Sequence, residues 1–391
     1  MNKTEALLSH IREVYGAGLI PLHRPVFNDR EKSYLEECVD SSFVSSVGPL
    51  VGEFEKKMAQ FTKAGHTIAV VNGTAALHLS FRVLGVEAGN EVITQALGFV
   101  ATSNALTYLR AKPVFLDVDK DSLGMSPTAL REWLESNVEM QNGKPVNRLT
   151  GARIGACAPI HTFGLPCRIT EIVNVCNRYS IPVVEDAAES LGSYVGGVHT
   201  GLIGTIGTFS FNGNKLITTG GGGMVVTNDE SLAARVRHLS TTAKIPHEYE
   251  FAHDEIGYNY RMPNINAALG CAQMEKVELM LAIKKEVADG YAALFDKYEI
   301  KSVKSREGTT ANNWLNAIIL DTAEDKNSLL QRSNQDEILM RPIWRLLSTL
   351  TMFEGAARDS LSNSSWLADR VVNVPSSVPD SEIYRLPNEH S

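Results

Sequence analysis

A single lysine stands in a run of aromatic and small residues between Phe209 and Met224. Lys215 follows an apolar segment that is typical of a strand, and the four consecutive glycines Gly220–Gly223 come after it. Most lysines are solvated, but these neighbours favour a buried and closely packed amine. Because a desolvated amine is a better nucleophile, Lys215 is a candidate for Schiff-base chemistry.

Two acids end another apolar segment, Val184–Asp186, and Glu189 follows three residues later. If Val184 points into the core, the two-residue alternation of a strand directs Asp186 to the end of the sheet. A buried carboxylate needs a partner, so Asp186 could hold a protonated ring nitrogen. The sequence equally allows the alternative that Asp186 only caps the helix after it.

Two more segments could bind a phosphate and an aromatic ring. Asn72–Ala75 predicts a turn between a strand and a helix, where Gly73 lets the backbone approach a ligand and the helix N-terminus suits a phosphate. The same residues also suit an ordinary helix cap. Phe99 follows the next predicted strand and could stack on a planar ring, although a core position is equally compatible with the sequence. The glycines after Lys215 lack the Gly-Lys-Ser/Thr ending of a P-loop.

The composition excludes several classes of function. With 43% hydrophobic residues, 21% charged residues and a net charge of −8, the 391-residue chain is typical of a soluble protein without a basic footprint for nucleic acid or a membrane. Its five cysteines are scattered without a Cys-x-x-Cys pair, and its histidines lack metal-ligand spacing, so neither a disulfide framework nor a metal site is predicted. The charged N-terminus and the lack of a long apolar run predict a cytoplasmic protein.

Short apolar segments alternate with helical ones, which predicts an α/β fold with a mainly parallel sheet of seven strands flanked by helices. The predicted strands are Ile68–Val71, Val92–Ile93, Pro113–Val118, Ile154–Ile160, Pro182–Glu185, Thr208–Phe211 and Met224–Thr227. A long helical region then leads to a smaller α+β domain. We expect an N-terminal segment and large domain over residues 1–265, and a bridging helix and small domain over residues 266–391.

Ligands of open α/β sheets bind at the carboxyl ends of the strands, where all four features are predicted to lie. A phosphate cradle, a stacking ring, a carboxylate and a lysine, in this order, fit a pyridoxal-phosphate enzyme. The sequence resembles the fold-type I, aspartate-aminotransferase-like enzymes of the DegT/DnrJ/EryC1/StrS family, which aminate nucleotide-linked keto-sugars. The matching segments are Asn72–Leu79, Phe99–Ala105, Pro113–Val118, Glu185–Gly192, Gly207–Phe211 with Lys215, and Gly257–Met262.

The resemblance implies a role for each matching residue. Lys215 would carry the cofactor and move the substrate proton, and Asp186 would pair with the pyridine nitrogen. Phe99 would stack on the ring. The implied phosphate contacts are Gly73, Thr74, Ala75 and Ser210, together with Asn259 or Arg261 from the second subunit of a homodimer. Glu189 replaces the Gln or His of many relatives beside O3′ of the cofactor, so its role there stays open.

Four further segments resemble one subgroup of this family: Phe43–Gly48, Ile160–Gly164, Thr218–Gly223 and Arg341–Arg345. That subgroup makes 4-amino-4,6-dideoxy-N-acetylglucosamine nucleotides for legionaminic acid or bacillosamine. The resemblance implies a ping-pong transfer of the amine of L-glutamate to the C4 ketone of UDP-4-keto-6-deoxy-N-acetylglucosamine, for bacterial surface polysaccharide biosynthesis.

Several other residues are candidate contacts for the substrate, each with a plainer alternative. They are His161, Lys244, His247, Arg341 and Trp344. The two histidines could also be structural or solvated residues. Lys244 and Arg341 could also be ordinary charged residues of the surface. Two other functions stay open for the whole chain. A pyridoxal-phosphate sugar dehydratase would hold a histidine at the Lys215 position, and a regulatory protein could retain the fold without turnover.

Overall fold

The computed structural model describes residues 2–386. The helices are α1 (Lys3–Tyr15), α2 (Asp29–Asp40), α3 (Pro49–Thr62), α4 (Gly73–Val83), α5 (Ala101–Tyr108), α6 (Pro127–Asn137), α7 (Ile169–Asn177), α8 (Glu230–Ser240), α9 (Asn264–Met274), α10 (Val277–Tyr298), α11 (Ala323–Gln335) and α12 (Ser362–Ala368). The strands are β1 (His66–Val70), β2 (Glu91–Gln95), β3 (Lys112–Leu116), β4 (Val138–Gln141), β5 (Lys144–Asn147), β6 (Ile154–Ala158), β7 (Val184–Asp186), β8 (Tyr194–Val195), β9 (Val198–His199), β10 (Ile206–Ser210), β11 (Gly223–Thr227), β12 (Lys244–Ile245), β13 (Ala252–His253), β14 (Thr309–Thr310), β15 (Asn316–Ile319), β16 (Arg341–Pro342) and β17 (Val371–Val374).

The central sheet has the strand order β3-β2-β6-β7-β10-β11-β1. Its pairs β3–β2, β2–β6 and β7–β10 are parallel, and parallel bridges such as Cys157–Val183 join β6 to β7. Strand β11 alone runs against its neighbours β10 and β1. Because β1 and β10 are both antiparallel to β11, they share one direction with β7, and their carboxyl ends meet at one edge. The predicted seven-stranded, mainly parallel sheet is therefore confirmed.

Helix α4 is fixed on this sheet by its apolar face. Leu77 and Phe81 are almost fully buried in one cluster with Val184, Ile206 and Val225 from three strands. Burial of a leucine or phenylalanine side chain contributes about 1.5–3 kcal/mol each. This packing holds the N-terminus of α4 at the carboxyl edge of the sheet, immediately after β1.

The C-terminal part contains a second sheet, with antiparallel order β15-β17-β16, covered by α10 and α11. Helix α1 also packs there, since Leu7 and Ile11 share a buried cluster with Tyr291, Phe295 and Ile318. The packing thus groups α1 with the C-terminal elements, whereas the predicted division at residue 265 places it in the N-terminal segment that precedes the large domain. That division also falls inside α9, and its outer limits, residues 1 and 391, lie outside the described residues.

Between residues 2 and 386, no helix combines the length and the apolar composition that a membrane crossing requires.

Candidate active site

The loop that carries Lys215 turns back on itself directly after β10. The N–H of Phe211 donates to the Gly222 carbonyl at 2.8 Å, and the N–H of Thr219 donates to the Phe211 carbonyl at 3.0 Å. Glycine is required at the end of this loop, because a Cβ at Gly223 would lie 2.4 Å from the backbone of Asn72. The glycine run therefore serves close packing of the Lys215 loop against the turn before α4.

The Lys215 amine lies between a carboxylate and an indole ring. Its Nζ is 3.2 Å from Oε1 of Glu189 and 4.3 Å from the ring centroid of Trp314, and its side chain is 13% exposed. The other Glu189 oxygen accepts the Phe163 N–H at 2.8 Å. Burial raises the pKa of Glu189, and the Lys215 charge and the Phe163 N–H partly offset this effect. The amine is thus held in a largely dry site with one acidic partner.

Asp186 ends β7 with both carboxylate oxygens bonded. The Thr102 hydroxyl donates to Oδ2 at 2.5 Å, and the Ala188 N–H donates to Oδ1 at 3.1 Å. The carboxylate is almost completely buried, and a buried charge of this kind is retained only where it has such partners. A fixed carboxylate at the end of a strand suits the pairing with a pyridinium N–H.

His161 is bonded entirely within the protein. It is fully buried, its Nε2 is 2.9 Å from Oε2 of Glu185, and its Nδ1 accepts the Cys167 N–H at 3.2 Å. Both ring nitrogens therefore have protein partners, and the substrate contact predicted for His161 does not agree with the structure. The physical reason is the alternation along β7, which turns Glu185 to the side opposite Asp186 and pairs it with His161.

The predicted phosphate cleft is the place where the start of α4 meets the end of β10. A Cβ at Gly73 would lie 2.8 Å from Cβ of Ser210, so only glycine permits this approach. Thr74 and Ser210 are both partly exposed there. The Ala75 N–H already donates to the Asn72 side chain at 2.8 Å, so Ala75 offers no free N–H to a ligand. Gly73, Thr74 and Ser210 lie close together here, and their contact with a phosphate stays a prediction.

A cavity of about 510 Å³ adjoins the Lys215 site. Its lining includes Trp314, Trp344, Arg341, Arg345 and His23. Burial lowers the pKa of His23 well below its ordinary value, and the charges of Lys284 and Lys215 act in the same direction. The permanent positive charge of the cavity therefore comes from the two arginines, which suits an anionic ligand.

Phe99 is 52% exposed beside this cavity, with its ring centroid 6.3 Å from that of Trp344. Trp344 in turn lies 4.9 Å from Phe163. Phe99 is thus not a core residue in the single chain, and its stacking on a planar ring stays a prediction.

The remaining predicted residues lie on exposed segments. Asn259 is exposed, and the backbone beside it is tied to the end of β1 because the Val71 N–H donates to the Tyr260 carbonyl at 2.9 Å. Lys244 and His247 lie on the hairpin of β12 and β13, where the Lys244 amine is 4.2 Å from the Phe251 ring centroid. Within residues 2–386, no hydrogen bond or ion pair joins these side chains, or that of Arg261, to Lys215 or Asp186.

The sequence does not predict a role in this site for Thr102 or Trp314. Thr102 lies in a segment that carries the family resemblance, but its contact with Asp186 spans 84 residues. Trp314 is only part of an apolar run in the sequence, and no local pattern indicates that it touches Lys215.

Comparison with known proteins agrees with this geometry. A sequence model of the DegT/DnrJ/EryC1/StrS aminotransferase family matches residues 25–381. The chain is 37% identical over 338 residues to EpsN of Bacillus subtilis (strain 168), covering 86% of this chain and 84% of that protein, whose name assigns it provisionally to the pyridoxal phosphate-dependent aminotransferases. It is 35% identical over 358 residues to the GDP-perosamine synthase of Escherichia coli O157:H7, covering 91% and 93% of the two chains.

A solved structure shows the same fold. The aminotransferase TlmJ from Streptoalloteichus hindustanus superimposes with a TM-score of 0.84 at 24% identity, over 94% of this chain and 97% of that chain. The chain belongs to the DegT/DnrJ/EryC1/StrS aminotransferase family. It is an aminotransferase of fold type I, and its cofactor is pyridoxal phosphate.

Proposed function

We propose that this enzyme transfers the amino group of L-glutamate to the C4 ketone of a nucleotide-linked 4-keto-6-deoxy sugar. The observation that supports it most directly is the Lys215 amine, held against Glu189 and Trp314 beside a cavity that contains arginines and aromatic rings. An aromatic and cationic cavity suits a sugar ring that carries a pyrophosphate. Its size also suits a small dicarboxylate donor.

Each residue has a part in this proposal. Pyridoxal phosphate supplies an aldehyde that takes up the amine and a pyridinium ring that accepts electrons from the substrate carbon. Asp186 keeps a proton on the ring nitrogen, while Gly73, Thr74 and Ser210 hold the phosphate in the cleft. Lys215 would take the proton from the donor carbon and return it, since an amine is a suitable general acid and base once it is free of the cofactor.

The proposal includes a homodimer with the site at the subunit interface. Several apolar side chains before α3 are open to solvent in the single chain, with Phe43, Val44 and Val47 exposed by 49%, 45% and 63%. An apolar loop of this kind is typical of a surface that another subunit covers. Asn259 or Arg261, on the segment beside β1, would then complete the phosphate site of the second subunit.

The proposed acceptor is UDP-4-keto-6-deoxy-N-acetylglucosamine, as in the legionaminic acid and bacillosamine pathways. This choice depends on the resemblance of four segments to that subgroup: Phe43–Gly48, Ile160–Gly164, Thr218–Gly223 and Arg341–Arg345. GDP-perosamine synthase, by its name, makes a GDP-linked product, so a GDP-linked keto-sugar is the competing acceptor. A cytoplasmic location accompanies the proposal, because nucleotide sugars are made there from nucleoside triphosphates.

The lysine assignment can be tested with Lys215→Ala. The wild-type protein should be yellow, borohydride should fix the cofactor to it, and L-glutamate should bleach the colour. The Lys215→Ala protein should lose the borohydride-stable link, because among residues 2–386 no other lysine amine bonds to Asp186 or Glu189. Lys285→Ala is the matched control, since Lys285 is an exposed lysine paired with Asp289. A cofactor that stays fixed to the Lys215→Ala protein would show that the assignment is wrong.

The acceptor can be tested by product analysis with UDP-linked and GDP-linked 4-keto-6-deoxy sugars in parallel, with L-glutamate as donor. Amination of the UDP-linked N-acetyl sugar alone is expected. Amination of the GDP-linked sugar alone would overturn the acceptor and leave the aminotransferase unchanged. Loss of water from the sugar without amination would instead indicate the dehydratase alternative.

A further inference from the structure

The Lys215 amine has a second neighbour that the roles above do not use. Its Nζ lies 4.3 Å from the centroid of the Trp314 ring, which is within the range of a cation–π interaction. Trp314 is 3% exposed, so water does not compete strongly for the face of the ring. Tryptophan gives the most favourable of these interactions, and desolvation strengthens it.

The Trp314 ring is held in place from several directions. Its Nε1–H donates to the carbonyl of Asn214, the residue before the lysine, at 2.8 Å. Its backbone N–H donates to Oδ1 of Asn312 at 2.9 Å, and Nδ2 of Asn312 donates to the Glu189 carbonyl at 2.8 Å. The ring, the lysine loop and the Glu189 segment are therefore joined in one bonded network. The ring itself is thus bonded to the loop that carries the amine, while the Trp314 backbone is joined through Asn312 to the Glu189 segment.

We propose that Trp314 is a positioning residue that stabilises Lys215 when the lysine is free of the cofactor. This inference rests on the proposed function, because Lys215 is free only after a donor amine has taken its place. In that exchange the donor nitrogen forms a C=N bond to the aldehyde carbon of the cofactor, and the C=N bond to Lys215 breaks. All three hydrogens of the incoming ammonium would end on Nζ, and the resulting charge would lie between Glu189 and the Trp314 ring.

The expected consequence is a shift in the equilibrium between Lys215 bound to the cofactor and Lys215 free of it. If the Trp314 ring stabilises the free ammonium of Lys215, removal of the ring favours the state in which Lys215 still carries the cofactor. More donor is then needed to release the lysine. A purely structural role predicts the opposite, since a loosened site would lose cofactor and colour at lower donor concentrations.

The experiment is an equilibrium titration of the yellow holoenzyme with L-glutamate at fixed 2-oxoglutarate and without acceptor. The midpoint is the glutamate concentration that bleaches half of the colour. For Trp314→Leu, the midpoint should rise on the order of tenfold, in keeping with a desolvated cation–π contact. Trp314→Phe keeps an aromatic face and should stay within about threefold of the wild type.

The chain offers a matched control in Trp366. The Lys120 amine also lies 4.3 Å from the Trp366 ring centroid, but this pair is outside the Lys215 site. Trp366→Leu therefore removes the same kind of contact and should leave the midpoint unchanged. A wild-type or lower midpoint for Trp314→Leu would overturn the proposal, and so would a Trp314→Phe midpoint as high as that of the leucine variant.

Two further measurements distinguish a failure of the Trp314 proposal from a failure to bind cofactor or from a wrong donor. If Trp314→Leu does not retain cofactor, Trp314→Met replaces it, and failure of both to retain cofactor would show that the ring supports the fold rather than the amine. If glutamate does not bleach the wild type, the donor in the proposed function is wrong. The titration then uses methylamine, which displaces Lys215 without a donor site. Because the product is still a coloured imine, the midpoint is the methylamine concentration that halves the borohydride-stable link to the protein, and the same order of midpoints decides on Trp314.

Discussion

Asp186 shows how one hydroxyl can fix a carboxylate. The Thr102 hydroxyl, fully buried, is 2.5 Å from Oδ2, and valine has nearly the same shape without the donor. We expect Thr102→Val to lower kcat on the order of tenfold or more with a smaller change in KM, because a hydrogen bond to a charged group contributes about 1.5–3 kcal/mol. Steady-state kinetics with donor and acceptor checks this. Thr102→Ser should restore most of the activity.

The control for this prediction is Thr107→Val on the same helix. The Thr107 hydroxyl is exposed and donates to the Asn104 carbonyl, so its loss should leave kcat unchanged. Equal effects of the two valine substitutions would mean that α5 itself, and not the bond to Asp186, was disturbed.

The individual residues of the site differ in how far the sequence predicts them. Lys215 and Asp186 have distinctive neighbours, so their chemistry can be inferred from short segments. Thr102 and Trp314 act through contacts across 84 and about 100 residues, and no local pattern encodes such a contact. The structural alternative for His161 could not be decided from the sequence for a related reason, since only the pairing of strands shows that Glu185 bonds to its ring nitrogen.

At the scale of elements, the cleft for the phosphate depends on how closely α4 approaches β10. An added Cβ at Gly73 would lie 2.8 Å from Cβ of Ser210, and neither backbone can move freely because both belong to packed elements. Gly73→Ala should therefore push the start of α4 away from β10 and weaken cofactor binding on the order of tenfold or more. Fluorescence titration of the cofactor-free protein with pyridoxal phosphate measures this.

Gly52→Ala is the matched substitution in another helix. No atom lies within 4 Å of a Cβ at Gly52, which is an exposed position inside α3. Alanine should raise the free energy of unfolding by up to about 1 kcal/mol there and leave the cofactor affinity unchanged. Unaltered affinity in the Gly73→Ala protein would show that the cleft is wider than this geometry implies.

The strands of the large sheet are predictable because each is a short apolar run that ends in polar residues. The partner of an amphipathic helix is not predictable in the same way. The spacing of Leu7 and Ile11 shows that α1 has a buried face, but the surface it meets, around Tyr291 and Ile318, lies near the other end of the chain. Composition and periodicity do not show which distant segment of the chain packs against α1.

At the scale of the whole molecule, the site is assembled from both parts of the chain. The central sheet positions Lys215 and Asp186, while the C-terminal part contributes Trp314, Arg341 and Trp344 to the adjoining cavity. Lys284 on α10 joins two of these C-terminal segments, because its amine donates to the carbonyl of Trp314 at 3.1 Å and to that of Ser376. The network around the active lysine thus extends into the core between the two parts.

Lys284 makes the stability of the molecule depend on pH. It is 1% exposed, forms no salt bridge within residues 2–386, and burial lowers its pKa to about 7. The unfolded chain, with the ordinary lysine pKa of 10.5, binds more protons between these values, so the free energy of unfolding gains about 1.4 kcal/mol per pH unit there from this group. Lys284→Met should lose this slope, measured by urea unfolding at several pH values from 7 to 9 at fixed cofactor concentration. Lys285→Met is the control, because Lys285 is exposed, and this variant should keep the pH slope. Identical slopes for wild type and Lys284→Met would show that Lys284 stays charged in the folded protein.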